Sequence, residues 1–559
     1  MRSVRVLRGA ITGLALLVMA LPARAQDAGE SCLVTLGHSD IVSPSADLAR
    51  LFDLADSASR QSFFLRRTSD RMQFNACGVP RHVARLARAL ALPELPERGA
   101  SLLPAGLRVH LNTGYPRDWN DGALWSGRGA ASSLTAGAMF RWGVLEAALA
   151  PVFIALQNSA FDMLPYPDPA YSRYIHRWHG RFIDLPQRFG PDAATAVDPG
   201  QSYIRVQHRA WRGGFSTENL AWGAGLRNPL LLSGTAAGFP HVFLESARPV
   251  DIGIGHAELQ LFWGRLSESD HFDRDPDNDH RAMGGIMGVI RPRGLDGLYL
   301  GVAHLHTQTW SPETDAIDIL TAPVRGAGVD SAGLPRNLRL FGLFARWAGV
   351  PGGFEVYGEW ARQDTWEQWV RLLNPVDAAQ AYTLGLQKLV RRGDGAVRFS
   401  AEVSHLSDAL AHRDLGRGLI TYYVSPQVTQ GHTHRGQLLG APIGPGSEAQ
   451  FIGADVFWSG GRSSFSIERV RYDDDAYYAV WGAVHGPHGH DTEMSFRAGH
   501  LWGSGSFAVE GEVGYSFRYN RSLLGLHHGN SPDFPYRRDE NIGLRLHGRW
   551  TPPVRIWPL

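Results

Sequence analysis

The feature that most restricts this chain is a two-residue alternation kept up over segments too long for an ordinary soluble sheet. Phe507, Val509, Gly511, Val513, Tyr515, Phe517 and Tyr519 fall on one face, with Ser506, Ala508, Glu510, Glu512, Gly514, Ser516 and Arg518 on the other. Val397, Phe399, Ala401 and Val403 oppose Arg398, Ser400, Glu402 and Ser404 in the same way. Phe354, Val356, Gly358 and Trp360 oppose Glu355, Tyr357 and Glu359, and Ile542, Leu544, Leu546 and Trp550 oppose Arg545, His547 and Arg549. Successive side chains of a strand point to opposite faces, so each segment has one apolar and one polar wall. A half-buried antiparallel sheet in a soluble sandwich reads alike, but its strands run to only about 5 or 6 residues. Here about 16 to 19 candidate strands of roughly 9 to 13 residues, many ending in Trp, Tyr or Phe, match a membrane barrel with aromatic girdles. Charges of both signs on the inner face fit a wet lumen better than a dry core, where each needs a partner.

The start of the chain carries an address. Arg2, Arg5 and Arg8 precede an apolar run over residues 11–21, and Ala23-Arg24-Ala25 gives a small-x-small cleavage pattern. This reads as a signal peptide over residues 1–25, cleaved near Ala25/Gln26. The run is too short to span a bilayer, which takes about 20 apolar residues, and no later segment is long and apolar enough. Composition agrees with a barrel: 64 glycines and 10% aromatics with a mean hydropathy of only −0.19, because lumen-facing residues hide the lipid-facing half from any average. A net charge of +1 suggests no nucleic-acid partner. Lys388 is the single lysine among 55 basic side chains, and arginine's planar fork suits carboxylates and acidic sugars.

Residues 26–100 read differently. Leu48, Leu51, Phe52 and Ala55 follow Pro44-Ser45 at helical spacing, as do Val83, Leu86 and Leu90 between Pro80 and Pro93. This predicts a small, mostly helical periplasmic segment, a cap or plug, ahead of a barrel over residues 101–559. Cys32 and Cys77 sit in it without metal-type spacing and are disulfide candidates in an oxidising periplasm. Gly393-Asp394-Gly395 and residues 459–462 read as short periplasmic hairpin turns. Long polar or Pro-rich connections at about 164–200, 311–337 and 405–446 read as outward or mouth-filling loops.

A set of ordered motifs adds a resemblance. Asn112-Thr113-Gly114-Tyr115-Pro116 precedes Asn120-Asp121-Gly122-Ala123-Leu124-Trp125-Ser126-Gly127-Arg128-Gly129. Then come Ile183-Asp184-Leu185-Pro186-Gln187-Arg188-Phe189-Gly190, Asp198-Pro199-Gly200-Gln201-Ser202, and Ser216-Thr217-Glu218-Asn219 through Trp222-Gly223, Arg227-Asn228-Pro229 and Gly238-Phe239-Pro240-His241. Trp263-Gly264-Arg265-Leu266 with Glu268-Ser269-Asp270, and Leu439-Gly440 through Gly444-Pro445-Gly446-Ser447, continue the series. The chain resembles the capsule-assembly Wzi family over nearly all its mature length, most densely over residues 112–273. The resemblance implies an outer-membrane barrel of about 18 antiparallel strands with a small helical periplasmic element. It also implies a lectin-like role, holding capsular or other surface polysaccharide on a Gram-negative cell. The chain departs from many barrels in ending Ile556-Trp557-Pro558-Leu559 rather than on an aromatic residue read by the barrel-assembly machinery.

Sugar binding calls for aromatic faces beside planar polar groups. Three clusters offer them: Trp119, Asn120, Asp121, Trp125 and Arg128; Tyr171, Tyr174, Arg177 and Trp178; and Glu218, Asn219, Trp222, Arg227 and Asn228. Girdle and turn residues look the same in sequence. Asp273, Asp275, Asp277 and Asp279 alternate but lack the glycine and glutamate of a calcium loop and read as a solvated turn. His485, His488, His490 and Asp491, like His432 and His434, read as polar loop residues, so no metal or cofactor is expected. No G-x-S-x-G or H-E-x-x-H occurs, and paired lumen acids such as Glu402 and Glu510 are ordinary in a barrel, so no catalytic residue is assigned. The expectation is a monomeric non-enzymatic barrel in contact with outer-membrane lipid and surface polysaccharide. A porin-like diffusion channel and a barrel hydrolase are the alternatives.

Overall fold

The computed structural model describes residues 32–37, 44–55, 62–92, 98–310, 337–349, 352–363, 379–408, 421–480, 489–524 and 537–552. The signal segment, the connection 311–336, His485, His488 and the tail from residue 553 lie outside them. Every alternating segment named above is a strand, and 23 strand segments form one closed barrel. Five spans are broken in the middle, at Leu103-Pro104, Ala136-Gly137, Ala150-Pro151, residues 199–202 and residues 247–249. Proline has no N–H to give a ladder, so four of these breaks hold one. The pieces rejoin through bonds such as Leu103 N–H to Gly137 O at 2.9 Å and Gln201 N–H to Ala150 O at 3.1 Å. Counted through the breaks, the described residues make eighteen antiparallel spans, and the last, Arg538–Trp550, closes on the first from Gly543↔Asn112 to Trp550↔Ala105.

The alternation sorts the two walls. Leu384, Phe399, Ile452, Phe465, Val513 and Ile542 stand exposed on the outside, an apolar belt too extensive for a surface left in water. Trp142, Trp211, Trp347, Trp458, Trp502 and Trp550 are exposed near one rim, as a girdle at a membrane interface requires. That rim carries the short turns, including Gly143-Val144, Gly393-Asp394 and Gly505-Ser506, whereas connections at 113–128, 157–193, 217–240 and 406–447 return on the other. The chain is a transmembrane β-barrel, and no helix among the described residues is long and apolar enough to cross a membrane.

The segment before the barrel is a plug. Strand β1 (Leu33–Gly37) pairs antiparallel with β3 (Arg71–Asn75), flanked by helices α1 (Pro44–Ala55) and α2 (Arg81–Ala89), with β2 (Leu65–Arg67) between. Both helices fall where the spacing put them; the three strands, of five residues or fewer, are too short to leave a periodic signal. Both cysteines are disulfide-bonded. The plug meets the short-turn half of the wall: His82 N–H donates to Asp394 O at 2.9 Å, and the space beside Gly503 is filled by Ala89 and Leu86. From the long-loop side, connection 217–240 dips inward, and its strand Leu220–Trp222 pairs with β2 in mid-lumen. Phe64, Trp222, Leu230, Leu231, Leu232, Phe239, Tyr422, Tyr423 and Leu439 form one buried apolar core with the wall residues Phe262, Met287, Leu305 and Leu340. Plug and loops together pack the lumen.

Candidate functional site

The inward connection 217–240 is held by wall carboxylates. Glu359 accepts from Gly225 N–H at 2.5 Å and Leu230 N–H at 2.9 Å. Glu402 accepts from Leu226 N–H at 2.6 Å, Arg227 N–H at 3.1 Å, Asn228 N–H at 2.8 Å and the Tyr357 hydroxyl at 2.7 Å. Charge-assisted bonds of this kind are the strong ones. Gly223 is obligatory beside them: its φ is +114° and a Cβ there would lie 2.3 Å from Glu359 Oε1. Glu510, the other lumen acid named from the sequence, accepts from Arg462 at 2.6 Å.

Two of the three sequence clusters converge on this loop. Trp119 is buried, with the Arg227 guanidinium 4.6 Å from its ring centre and that of Arg117 at 5.6 Å. Asn120, at φ +54°, donates to Arg227 O at 2.9 Å and accepts from Thr235 Oγ1 at 3.1 Å. Asp121 accepts from Trp119 N–H and Ser126 Oγ, both at 3.1 Å, and lies 3.3 Å from Arg545. Burial opposes its ionisation, but Arg545, His110, Arg108 and a hydrogen bond from Asp118 together outweigh burial and hold the carboxyl below its ordinary range. Arg227 reaches Glu468 at 3.2 Å, and Asn228 O accepts from Thr383 Oγ1 at 3.0 Å.

Glu218, Asn219 and Trp222 are committed inside the protein. Glu218 accepts from Ser69 N–H at 2.8 Å and Thr68 Oγ1 at 3.0 Å, joining loop to plug. Asn219 Nδ2 donates to Ala236 O at 2.7 Å, and Trp222 Nε1 donates to Gln260 at 2.5 Å. Trp125 packs on Phe189 at 4.9 Å, and Arg128 Nε donates to Thr113 O at 3.0 Å. These side chains shape and fasten the loops.

The third cluster is the outer one. In connection 157–193, Tyr171, Tyr174, Arg177 and Trp178 are half-buried, with Arg173 and Phe182 exposed beside them. Tyr171 meets Tyr166 edge-on at 5.6 Å, Tyr174 meets His271 at 6.1 Å, and Arg177 lies 5.4 Å from the Trp178 ring while donating to Pro165 O at 3.0 Å. His179 Nε2 pins this connection to Asp473 at 2.8 Å. Burial disfavours its charge, yet Asp473 outweighs burial and raises the imidazole, while burial pushes neighbouring His176 down to about 4.

No family model and no curated protein matches the sequence. Among solved structures the chain is similar to Wzi, an outer membrane protein involved in group 1 capsule assembly in Escherichia coli and described as a carbohydrate-binding β-barrel. The two share 11% sequence identity over 93% of this chain and 99% of that one, with a TM-score of 0.55. The fold is Wzi-like. OccAB2 of Acinetobacter baumannii aligns over 81% of this chain and 98% of its own, at 11% identity and a TM-score of 0.40. OccK2 of Pseudomonas aeruginosa aligns over the same shares at 11% identity and a TM-score of 0.37.

Sequence reading missed the residues that fasten the Wzi-like lumen. Glu359 and Glu402 stood among the ordinary acids of polar strand faces, and Glu468, Arg66 and Arg67 were not singled out at all. Many of their partners, such as Gly225 for Glu359 and Glu245 for Arg67, lie more than a hundred residues away. His432 and His434, read as polar loop residues, are fully buried: His432 Nε2 meets Leu231 O at 2.6 Å and His434 Nδ1 accepts from Ser267 N–H at 3.1 Å. The acidic turn at 273–279 is exposed at Asp275 and Asp277, with Asp275 N–H on Asp273 at 2.8 Å. No metal-type cluster occurs among the described residues.

Proposed function

We propose that this protein is an outer-membrane barrel that binds and organises surface polysaccharide on a Gram-negative cell, capsular or exopolysaccharide, without catalysing its chemistry. The observation that carries the reading is the packed lumen. An apolar core crosses the barrel from plug to wall, which a diffusion channel does not need. The short-turn rim faces the periplasm on the general rule for such barrels, which puts the plug there and the long connections outside. The Tyr171–Trp178 face, with its half-buried rings and neighbouring guanidinium groups, offers the stacking and fork geometry that pyranose rings and acidic sugars take. The likeness in fold to a carbohydrate-binding barrel of Escherichia coli is consistent with that role.

Planar-bilayer recording on the purified barrel tests the occlusion: conductance is expected to be negligible, and large, steady channels would sink the reading in favour of a porin. Deleting the protein and measuring cell-attached against shed polysaccharide tests the role. An increased shed fraction is expected, and an unchanged partition counts against it. In the same assay, replacing Tyr174 and Trp178 by alanine reproduces the deletion while the barrel still folds.

A further inference from the structure

A cavity of about 250 Å³ lies in the lumen beside the tip of connection 217–240, bounded by the plug and by the wall strands from residue 395 onward. Eight arginines but only five carboxylates line it. Four of the five, all but Glu512, are already engaged by these arginines. Asp47 serves both Arg398, at 2.6 Å, and Arg462. Asp121 is 3.3 Å from Arg545, and Glu468, just behind the lining, serves Arg117, Arg227 and Arg497 within 3.3 Å.

Arg66 is left over. Its Nη2 donates to Gly223 O at 3.1 Å, its Nε is buried without a hydrogen-bond partner, and the side chain is only 8% exposed. Among the described residues no carboxylate lies within 4.0 Å of it. Burial and the adjacent Arg50 weaken its hold on its proton, to a pKa of about 10, against the pull of Glu359 and Glu402, whose oxygens are bonded to the backbone of connection 217–240. Arg462 Nε, on the facing wall, is also buried with no hydrogen-bond partner among the described residues, although its other nitrogens meet Asp47 and Glu510. Taking a cation out of water without a contacting counter-charge is costly, and proteins meet that cost with a partner or a bound ion.

We propose that this cavity is an anion site, taking a small oxyanion whose planar or tetrahedral oxygens accept from the guanidinium groups around Arg66. The carboxylate of a sugar acid and inorganic phosphate share that chemistry. The site is internal and separate from the outer aromatic face, so it stands or falls independently of polysaccharide binding.

The test is calorimetric titration of the purified full-length barrel in detergent, at fixed ionic strength and constant chloride, with sodium glucuronate, sodium phosphate and glucose in turn. Saturable heat with one or both anions, a raised Tm and no response to glucose is expected. Glucuronate alone points to a sugar acid, phosphate alone to a phosphate ligand, and both to a general oxyanion site. Arg66→Met weakens the anion by about tenfold or more while the anion-free barrel keeps its folded mobility on gels. Arg497→Gln, which leaves Glu468 two other guanidinium partners, is the second reporter and decides alone should Arg66→Met fail to fold. The proposal is overturned if neither anion gives saturable heat or shifts Tm, or if the folded variants bind as the parent does.

Discussion

The inner wall changes character part-way round the barrel, although the same plug and inward loop face both sides. Strands Gly255–Ser267, His280–Pro292 and Leu298–Thr309 turn Phe262, Met283, Met287, Ala303 and Leu305 inward, and these close on Trp222 and Phe239 as a dry core. Strands Gly461–Tyr472, Asp491–Ser504, Phe507–Tyr519 and Arg538–Trp550 turn Arg462, Glu468, Arg497, Glu510, Glu512 and Arg545 inward, where arginines share carboxylates around a cavity. Close packing gives one side its position, since an apolar interior tolerates little displacement. The other side is held by directional bonds between charges, which cannot fill space in the same way. Position is therefore set on the dry side, and room for a ligand is kept on the charged one.

Breaking the dry side carries the largest expected effect. Trp222 is fully buried, edge-on to Phe262 at 5.3 Å. Trp222→Ala removes that ring and opens a cavity, at a cost of about 3–5 kcal/mol. The expected outcome is a lowered Tm together with conductance events in planar bilayers as the loop loosens. An unchanged Tm with no conductance would mean that the charged side alone fixes the loop. Next comes the boundary between the sides, where Glu402 gathers three backbone N–H groups and the Tyr357 hydroxyl. Glu402→Ala strands those donors away from water and costs about 3 kcal/mol. Hydrogen exchange should then rise at residues 226–228 and stay low in the ladder of strands 255–309. Exchange rising equally in both would deny the loop its separate latch.

Sequence and structure agree where a physical period is long. The alternation of Phe507–Tyr519 specifies a strand, its outward face and its place in a barrel, because thirteen residues of period two admit little else. The helices around Leu48–Phe52 and Val83–Leu90 are legible from their spacing. Even the dry side leaves a trace: Met283, Met287 and Val289 point inward on a strand that is apolar on both faces, one turned to the core and one to lipid. The lumen network is illegible because its pairs span the chain. Arg67 reaches Glu245 at 2.7 Å and Arg346 reaches Asp53 at 2.5 Å, and only the seating of the plug inside the barrel brings such residues together. Trp222 and Glu218 read as sugar ligands for the same reason, since a buried tryptophan with a bonded N–H and a stacking platform are spelled alike.

The smallest expected effect separates the two sides by pH. Asp47 of α1 accepts from Arg398 of strand Gly395–His405 at 2.6 Å and from Arg462 of the charged wall. Burial works against its ionisation, but the two guanidinium groups outweigh burial and hold its pKa near 2, below the ordinary 3.8. A carboxyl depressed in the folded state adds stability that is present above its unfolded value and lost as pH falls through the folded one. The full contribution is therefore present at pH 5 and fades between about pH 4 and pH 2. Partial solvent access limits it to about 1–2 kcal/mol. The apolar contacts of the dry side carry no protons and contribute no slope in that window. Thermal unfolding followed from pH 5 to pH 2 should show Tm of the parent falling faster than that of Asp47→Asn, in which the charge is already absent. Parallel curves would place the acid sensitivity in other carboxylates and leave α1 seated by packing alone.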